Sequence, residues 1–459
     1  MSTVIAIDQN ICTGCQECTR VCPNLAIEGV PHQAQKLIED KCVMCGQCVQ
    51  KCKSYVSLAE HGAGAYEKVR RERGLADTVT EPLFAAHNIC HLDEVRRALA
   101  DPNVFTVVQS APAVRVAIAE DFGAPLGTLA AGKLAAALRR IGFDKVYDTN
   151  FAADVTIMEE GSELIERVTK GGVLPMFTSC CPAWVKYLEL NYPELRGHLS
   201  TCKSPQQMEG ALFKTYGAKL LGKPAESIFS VSIMPCTCKQ FESSRPEMKD
   251  SGHRDVDVVL TTRELAWLIK EKGINFLSLP DDKYDSPLGD YSGAAEIFGV
   301  TGGVMEAALR TGYELITKKP IPAVDVKAVR GPDSYRTAEI AVGDLKLKVG
   351  IVTGLKHVKP VLEDLKAGRL DLHFIEVMTC PEGCVTGGGQ PKLIVDKDFD
   401  EAYQARSSAT YKHDQELPIR KSHENPSVTK IYSEFLKKPL GPESHKLLHT
   451  AYCGDHKHH

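Results

Sequence analysis

From Val104 onward, short apolar runs alternate with stretches whose apolar residues recur at helical spacing. Val104-Phe-Thr-Val-Val108 reads as a buried strand, and Leu134, Leu138 and Ile141 mark one face of a helix that Gly142 closes. Two further apolar runs, Phe229 to Met234 and Leu372 to Met378, also read as strands, as does the shorter Pro175-Met176-Phe177. Strands alternating with helices predict an α/β domain with a largely parallel sheet. Upstream, residues 63–103 are polar and helical in pattern, with Leu92, Val95 and Leu99 on one face and Asp101-Pro102 as a stop. After Pro391 the sheet pattern fades. The chain therefore divides into a small module at 1–62, a helical linker at 63–103, a large domain at 104–395 and a polar segment at 396–459.

Composition narrows the class. With 43% apolar and 25% charged residues over 459 positions, the chain is that of a globular protein too long for one core. A net charge of -4 gives no basic field for nucleic acid or anionic lipid, so neither is an expected partner. No run approaches about 18 apolar residues, so no membrane span is expected, and Met1 to Ile11 lacks the basic start and apolar run of a secretory signal. The expected location is the cytoplasm. In that compartment the 17 cysteines read as metal ligands or reactive thiols, because disulfides are kept reduced.

Cys12-Thr-Gly-Cys15-Gln-Glu-Cys18-Thr-Arg-Val-Cys22-Pro23 follows the C-x2-C-x2-C-x3-C-P run of two-cluster bacterial ferredoxins, and Cys42, Cys45, Cys48 and Cys52 repeat it. Three closely spaced thiolates wrap one corner of a cubane, while the fourth of each run crosses to the other cluster. One 4Fe-4S cluster is thus assigned to Cys12, Cys15, Cys18 and Cys52, the other to Cys42, Cys45, Cys48 and Cys22. Zinc is the alternative, but structural zinc pairs usually have longer spacers. A module this small builds little core, so the clusters themselves hold its α+β ferredoxin-like fold together. Its expected role is electron transfer.

Most remaining cysteines follow the strands of the large domain. Phe229 to Met234 leads into Pro235-Cys236, Leu372 to Met378 into Thr379-Cys380, and Pro175 to Phe177 into Thr178-Ser179-Cys180-Cys181. Ligands in α/β folds gather at the carboxyl ends of strands, so these separate loops can meet at one buried metal cofactor.

The stretches Thr178-Ser-Cys-Cys-Pro-Ala-Trp184, Met234-Pro-Cys-Thr-Cys-Lys-Gln-Phe-Glu242 and Phe374-Ile-Glu-Val-Met-Thr-Cys-Pro-Glu-Gly-Cys-Val-Thr-Gly-Gly-Gly-Gln-Pro391 resemble the three signature motifs of iron-only hydrogenases. The resemblance runs from the ferredoxin module to the end of the chain, with the last segment similar to the family's small subunit, here fused. It implies reversible interconversion of protons, electrons and H2 at an H-cluster, a 4Fe-4S cluster bridged to a diiron unit bearing CO, cyanide and azadithiolate. By that resemblance Cys181, Cys236, Cys380 and Cys384 hold the cubane, with Cys384 as the bridge to the diiron unit. Lys239 and the backbone around Ala111 and Pro112 would face cyanide, and Met234 and Met378 would pack the diiron subsite. Gln206, Phe298 and Gly299 match further pocket positions. The implied partners are a ferredoxin or similar redox protein and the maturation enzymes that supply the diiron unit.

H2 chemistry at a buried metal needs a proton relay, since a bare proton cannot cross an apolar wall. Cys180, next to a ligand but not needed as one, is the candidate terminal acid, and Glu160, Ser200 and Glu163 match the family's relay behind it. Two positions depart from the pattern. Cys238 stands where a small or hydroxyl residue is usual, close to the expected diiron subsite, and Pro381-Glu382 where small or polar residues are usual. An iron-sulfur assembly factor of related sequence would keep the cluster cysteines without Cys180, Lys239 and the relay. A hydrogen sensor on the same core would carry a signalling segment, which is not seen. The His-rich end, Cys453 to His459, reads as a frayed tail.

Overall fold

The computed structural model describes residues 3–393 and 398–452, so the His-rich tail lies outside the described residues. Each cysteine run of the N-terminal module ends in a short helix, Glu17–Val21 and Gln47–Lys51, entered through a left-handed residue, Gln16 or Gly46. The two helices pack on each other, and short antiparallel pairs close the module. Two of these pairs are completed from downstream. Ala86–Asn88 pairs with Ile5–Ile7, and Leu83–Phe84 with Tyr55–Val56. The stretch 63–103, read as a helical linker, is thus helical at its ends, in Leu58–Glu72 and Leu92–Ala100, but supplies two strands to the module between them. Strands of two or three residues are too short to show a period, so the sequence pattern missed them.

The large domain is α/β, built on two four-stranded sheets. In the first, Val258–Thr261, Ile228–Met234, Phe105–Ser110 and Lys145–Asp148 lie side by side, all parallel. Helix Ala131–Ile141 makes one crossover, buries Leu134, Leu138 and Ile141, and ends at Gly142 with φ 116°. The second sheet runs Tyr335–Val342, Leu345–Thr353, Phe374–Met378 and Met176–Phe177, parallel except for the edge hairpin. That edge strand alternates exposed and half-buried residues, whereas Phe374–Met378 is buried throughout. Helix Thr149–Lys170 leads from the first sheet to the second and ends near the strand that precedes Cys180 and Cys181.

The C-terminal segment wraps this domain with helices Asp398–Glu416, Pro426–Ile431 and Pro442–Leu448. Its attachment is ionic as well as apolar. Arg406 reaches Glu120 at 2.5 Å, and fully buried Arg310 meets fully buried Asp414 at 2.8 Å. Breaking such a pair leaves a charge stranded in the interior.

Candidate active site

In the N-terminal module the thiols of Cys18, Cys52, Cys12 and Cys15 are mutual neighbours, and all four line one small cavity. Cys48 sits beside Cys45, Cys42 and Cys22. The second group also faces Cys18, and Cys45 faces Cys236 of the large domain. Cys15 is exposed, so the thiols form a series from the surface to the interior. Backbone amides point at the sulfurs: Gln35 N at Cys12, Ala26 N at Cys22, Met44 N at Cys42 and Ala86 N at Cys52, all within 3.2–3.3 Å.

The module docks where the third motif is bare of side chains. A Cβ on Gly388 would meet Cys45 O at 2.5 Å and Gly46 Cα at 2.6 Å, so only glycine allows this approach. Gln50 Nε2 then donates to Gly387 O and Gln390 O, and Thr237 Oγ1 to Met44 O.

Behind that contact, Cys181, Cys236, Cys380 and Cys384 line a single cavity together with Cys180 and Lys239. The carboxyl ends of parallel strands from both sheets deliver them, as strand polarity predicts. Ala111, Pro112, Met234, Phe298, Gly299 and Met378 are among the apolar residues of the wall, and Gln206 lines it too. Burial, with the other thiols close by, pushes Cys236 up to about 12 and Cys380 well above the ordinary thiol range. Lys239 Nζ donates to Glu242 at 2.9 Å and to Cys180 O at 3.1 Å. Burial works against its ammonium, but the Glu242 carboxylate outweighs it and the pKa is raised. Gln206 braces that pair, donating to Glu242 at 3.0 Å and to Lys239 O at 3.3 Å.

From Cys180 a polar row leads away from the cavity. Cys180 faces Glu160, and Ser200 lies beside Glu160. Ser200 Oγ lies 2.9 Å from Glu163 Oε2, and Arg167 Nη2 donates to Glu163 Oε1 at 2.6 Å. Burial and the nearby Glu163 lift Glu160 to about 8, and its Oε2 has no hydrogen-bond partner among the described residues. The row ends at the partly exposed Arg167.

Three comparisons bear on this arrangement. Residues 104–388 match the model of the iron-only hydrogenase large subunit, C-terminal domain, residues 400–454 that of the iron hydrogenase small subunit, and residues 4–53 a 4Fe-4S dicluster domain. The chain belongs to the iron-only hydrogenases. Iron hydrogenase 1 of Clostridium pasteurianum is 40% identical over 448 residues, covering 94% of this chain and 78% of its own. The NADP-reducing hydrogenase subunit HndD of Solidesulfovibrio fructosivorans is 47% identical, covering 90% of this chain and 73% of its own. The solved structure of the FeFe-hydrogenase HydA1 from Chlamydomonas reinhardtii matches with a TM-score of 0.69 and 42% identity, over 78% of this chain and 98% of that one.

Iron-only hydrogenases carry an H-cluster and accessory 4Fe-4S clusters, and the residues of this hydrogenase fit that cofactor set. Four thiols crowded in one buried cavity repel one another once ionised, and iron is the counter-charge that makes such a donor set stable. The buried ammonium of Lys239, the one cationic group among the described residues that line the cavity, suits an anionic ligand set.

Two expected site positions carry further detail. Cys238 is not among the residues that line the cavity; it is fully buried at the start of helix Cys238–Ser243, beside Cys236, Lys186 and Cys181. Ala111 has no amide to offer a ligand, since its N–H is spent on Ile233 O at 3.0 Å, and Pro112 has none. Glu382 takes a left-handed turn, φ 58°, and its carbonyl accepts from Thr301 N at 3.1 Å. Arg167, Glu242 and Gln47 were missed by sequence reasoning. Arg167 had a signal, standing four residues after Glu163, whereas Gln47 and Glu242 look like ordinary polar helix residues.

Proposed function

We propose that this hydrogenase catalyses reversible 2 H+ + 2 e- = H2, with a ferredoxin-like protein exchanging electrons at the module. The observation that carries the reading is the meeting of Cys181, Cys236, Cys380, Cys384, Cys180 and Lys239 on one cavity from which Glu160 leads outward. Cys181, Cys236, Cys380 and Cys384 would hold the cubane of the H-cluster, Cys384 bridging to the diiron unit. When bound, the H-cluster supplies the redox chemistry on H2. The chain's own residues do the rest. Met234, Met378 and Phe298 exclude water, and Lys239 holds a positive charge toward the cofactor's anionic ligands. Cys180 passes a proton to or from Glu160, then Ser200 and Glu163, each group releasing one as it accepts another.

Cys12, Cys15, Cys18 and Cys52 would hold the outer accessory cluster, and Cys42, Cys45, Cys48 and Cys22 the inner one. Exposed Cys15 marks the side where the redox partner would dock. Maturation enzymes would supply the diiron unit. The cytoplasm is the proposed site of action, where reducing conditions keep so many thiols free; no described helix is long and apolar enough to cross a membrane. Anaerobic maturation should give infrared bands of CO and cyanide and about fourteen Fe per chain, three cubanes and a diiron unit. H2 evolution without those bands would refute the assignment.

A further inference from the structure

Helix Thr149–Lys170 carries Glu159 one turn before Glu163 on the same face, yet the relay uses Glu160 and Glu163 and not Glu159. Glu159 is fully buried, and the C-terminal segment surrounds it. Tyr432 OH donates to it at 2.5 Å, Leu440 N at 2.8 Å, and His449 Nε2 lies 3.1 Å away. The other nitrogen of His449, Nδ1, is 2.8 Å from Thr201 Oγ1 and 3.9 Å from Cys202 Sγ. Cys202 Sγ is in turn 3.9 Å from Glu163 Oε2, within the reach of a sulfur hydrogen bond. Glu163, Cys202, His449 and Glu159 therefore form an unbroken buried row off the outer end of the relay. Facing His449 are Glu159 and Glu163 from the helix, with Arg167 behind Glu163, Cys202 from the turn, and Tyr432 and the ring of His445 from the C-terminal segment. Both imidazole nitrogens and both Glu163 oxygens already have partners, which favours a proton path over a metal site.

We propose that His449 is a proton-holding side site of the relay, exchanging a proton with Glu163 through the thiol of Cys202. The O–H bond of Glu163 breaks as its proton forms a new S–H bond on Cys202, while the original S–H breaks and its proton goes to His449 Nδ1. Glu163 is left as carboxylate, Cys202 as neutral thiol, and His449 as imidazolium whose Nε2–H rests on Glu159. The reverse transfer returns the proton for the next turnover. Burial, followed by the nearby Glu163, keeps the Cys202 thiol protonated, as the exchange requires. The inference rests on the relay proposed above.

The test is H2 evolution from a reduced mediator against pH, with matured Cys202→Ala, Cys202→Ser and His449→Gln. Cys202→Ala and His449→Gln should each lower the rate about threefold to tenfold, less than the ~10²-fold expected on the direct path, and lose one titrating step from the profile. Cys202→Ser, with a hydroxyl able to pass a proton, should restore the step that Cys202→Ala loses. Alanine and serine leave similar volumes, so the pair stays informative even if His449→Gln fails to fold. Parental profiles in Cys202→Ala and His449→Gln, with full CO and cyanide bands, would overturn the proposal, as would equal loss in the alanine and serine variants. Glu160→Gln run alongside separates the two readings: a parental rate there sinks the relay itself, whereas a collapsed rate with unaffected side-site variants sinks only the side site.

Discussion

Gln47 Nε2 donates to Cys380 Sγ across 3.1 Å, joining the ferredoxin module to a cysteine of the catalytic cavity. A hydrogen bond to a cluster sulfur stabilises the more negative, reduced state and so raises the potential. Gln47→Leu keeps the volume and removes the donor. The H-cluster cubane should then be harder to reduce, with its midpoint moved to more negative potential in an infrared-monitored redox titration. An unmoved or more positive midpoint would mean that this contact only docks the module.

The series of thiols from exposed Cys15 to buried Cys45 predicts a separation of two activities. Cys12→Ser should slow H2 evolution driven by a ferredoxin-like donor while largely sparing H2–deuteron exchange, which needs no external electron. Equal loss in both assays would assign the module a structural role.

Lys239 and Glu242 are an ion pair whose side chains are 11% and 5% exposed. Lys239→Met strands the carboxylate, at a cost of about 3–5 kcal/mol. Adding Glu242→Gln should recover most of that loss in urea unfolding of the unmatured chain. After maturation, the single variant should show weakened cyanide bands. No recovery in the double variant would place the loss in packing rather than charge.

Much of this site was legible because covalent spacing carries it. The cysteine spacing brings the thiols of the module together, and Cys181, Cys236 and Cys380 follow strands whose polarity forces their loops together. What sequence could not give depends on contacts between distant segments. Gln47 meets Cys380, and Glu159 meets His449, across hundreds of residues, and neither pair leaves a local pattern. Cys238 is a related case: nearness in sequence to Cys236 does not by itself put a side chain on the cavity wall.

Glu160 makes stability depend on pH. An unfolded glutamic acid titrates near 4.5, whereas burial, then Glu163, lifts the folded carboxyl to about 8. Between these values the folded chain keeps a proton that the unfolded chain releases. The contribution is complete below the unfolded value and fades as pH rises through the folded one, by about 1.4 kcal/mol per unit. Glu160→Gln has no proton to lose, so it should become more stable relative to the parent as pH goes from 5 to 8. Buried Asp121 and Glu376, each raised to about 7, act alike in both proteins and cancel in the comparison. A constant difference in unfolding free energy across that range would contradict the raised carboxyl.

Cys180 gives the sharpest test, because it separates chemistry from assembly. It lines the cavity beside Cys181 and faces Glu160, yet lies outside the proposed ligand set. Cys180→Ala should therefore retain the full cofactor and lose the group that passes the proton, a loss of about 10²- to 10⁴-fold in H2 evolution. Cys180→Asp should keep part of the activity, since a carboxyl also exchanges a proton, whereas Glu160→Gln, which keeps shape but not titration, should not. The two substitutions must diverge if the row is a relay. Should Cys180→Ala turn over at the parental rate with undiminished CO and cyanide bands, protons reach the cavity by another path, and the roles given to Glu160, Ser200 and Glu163 fall together.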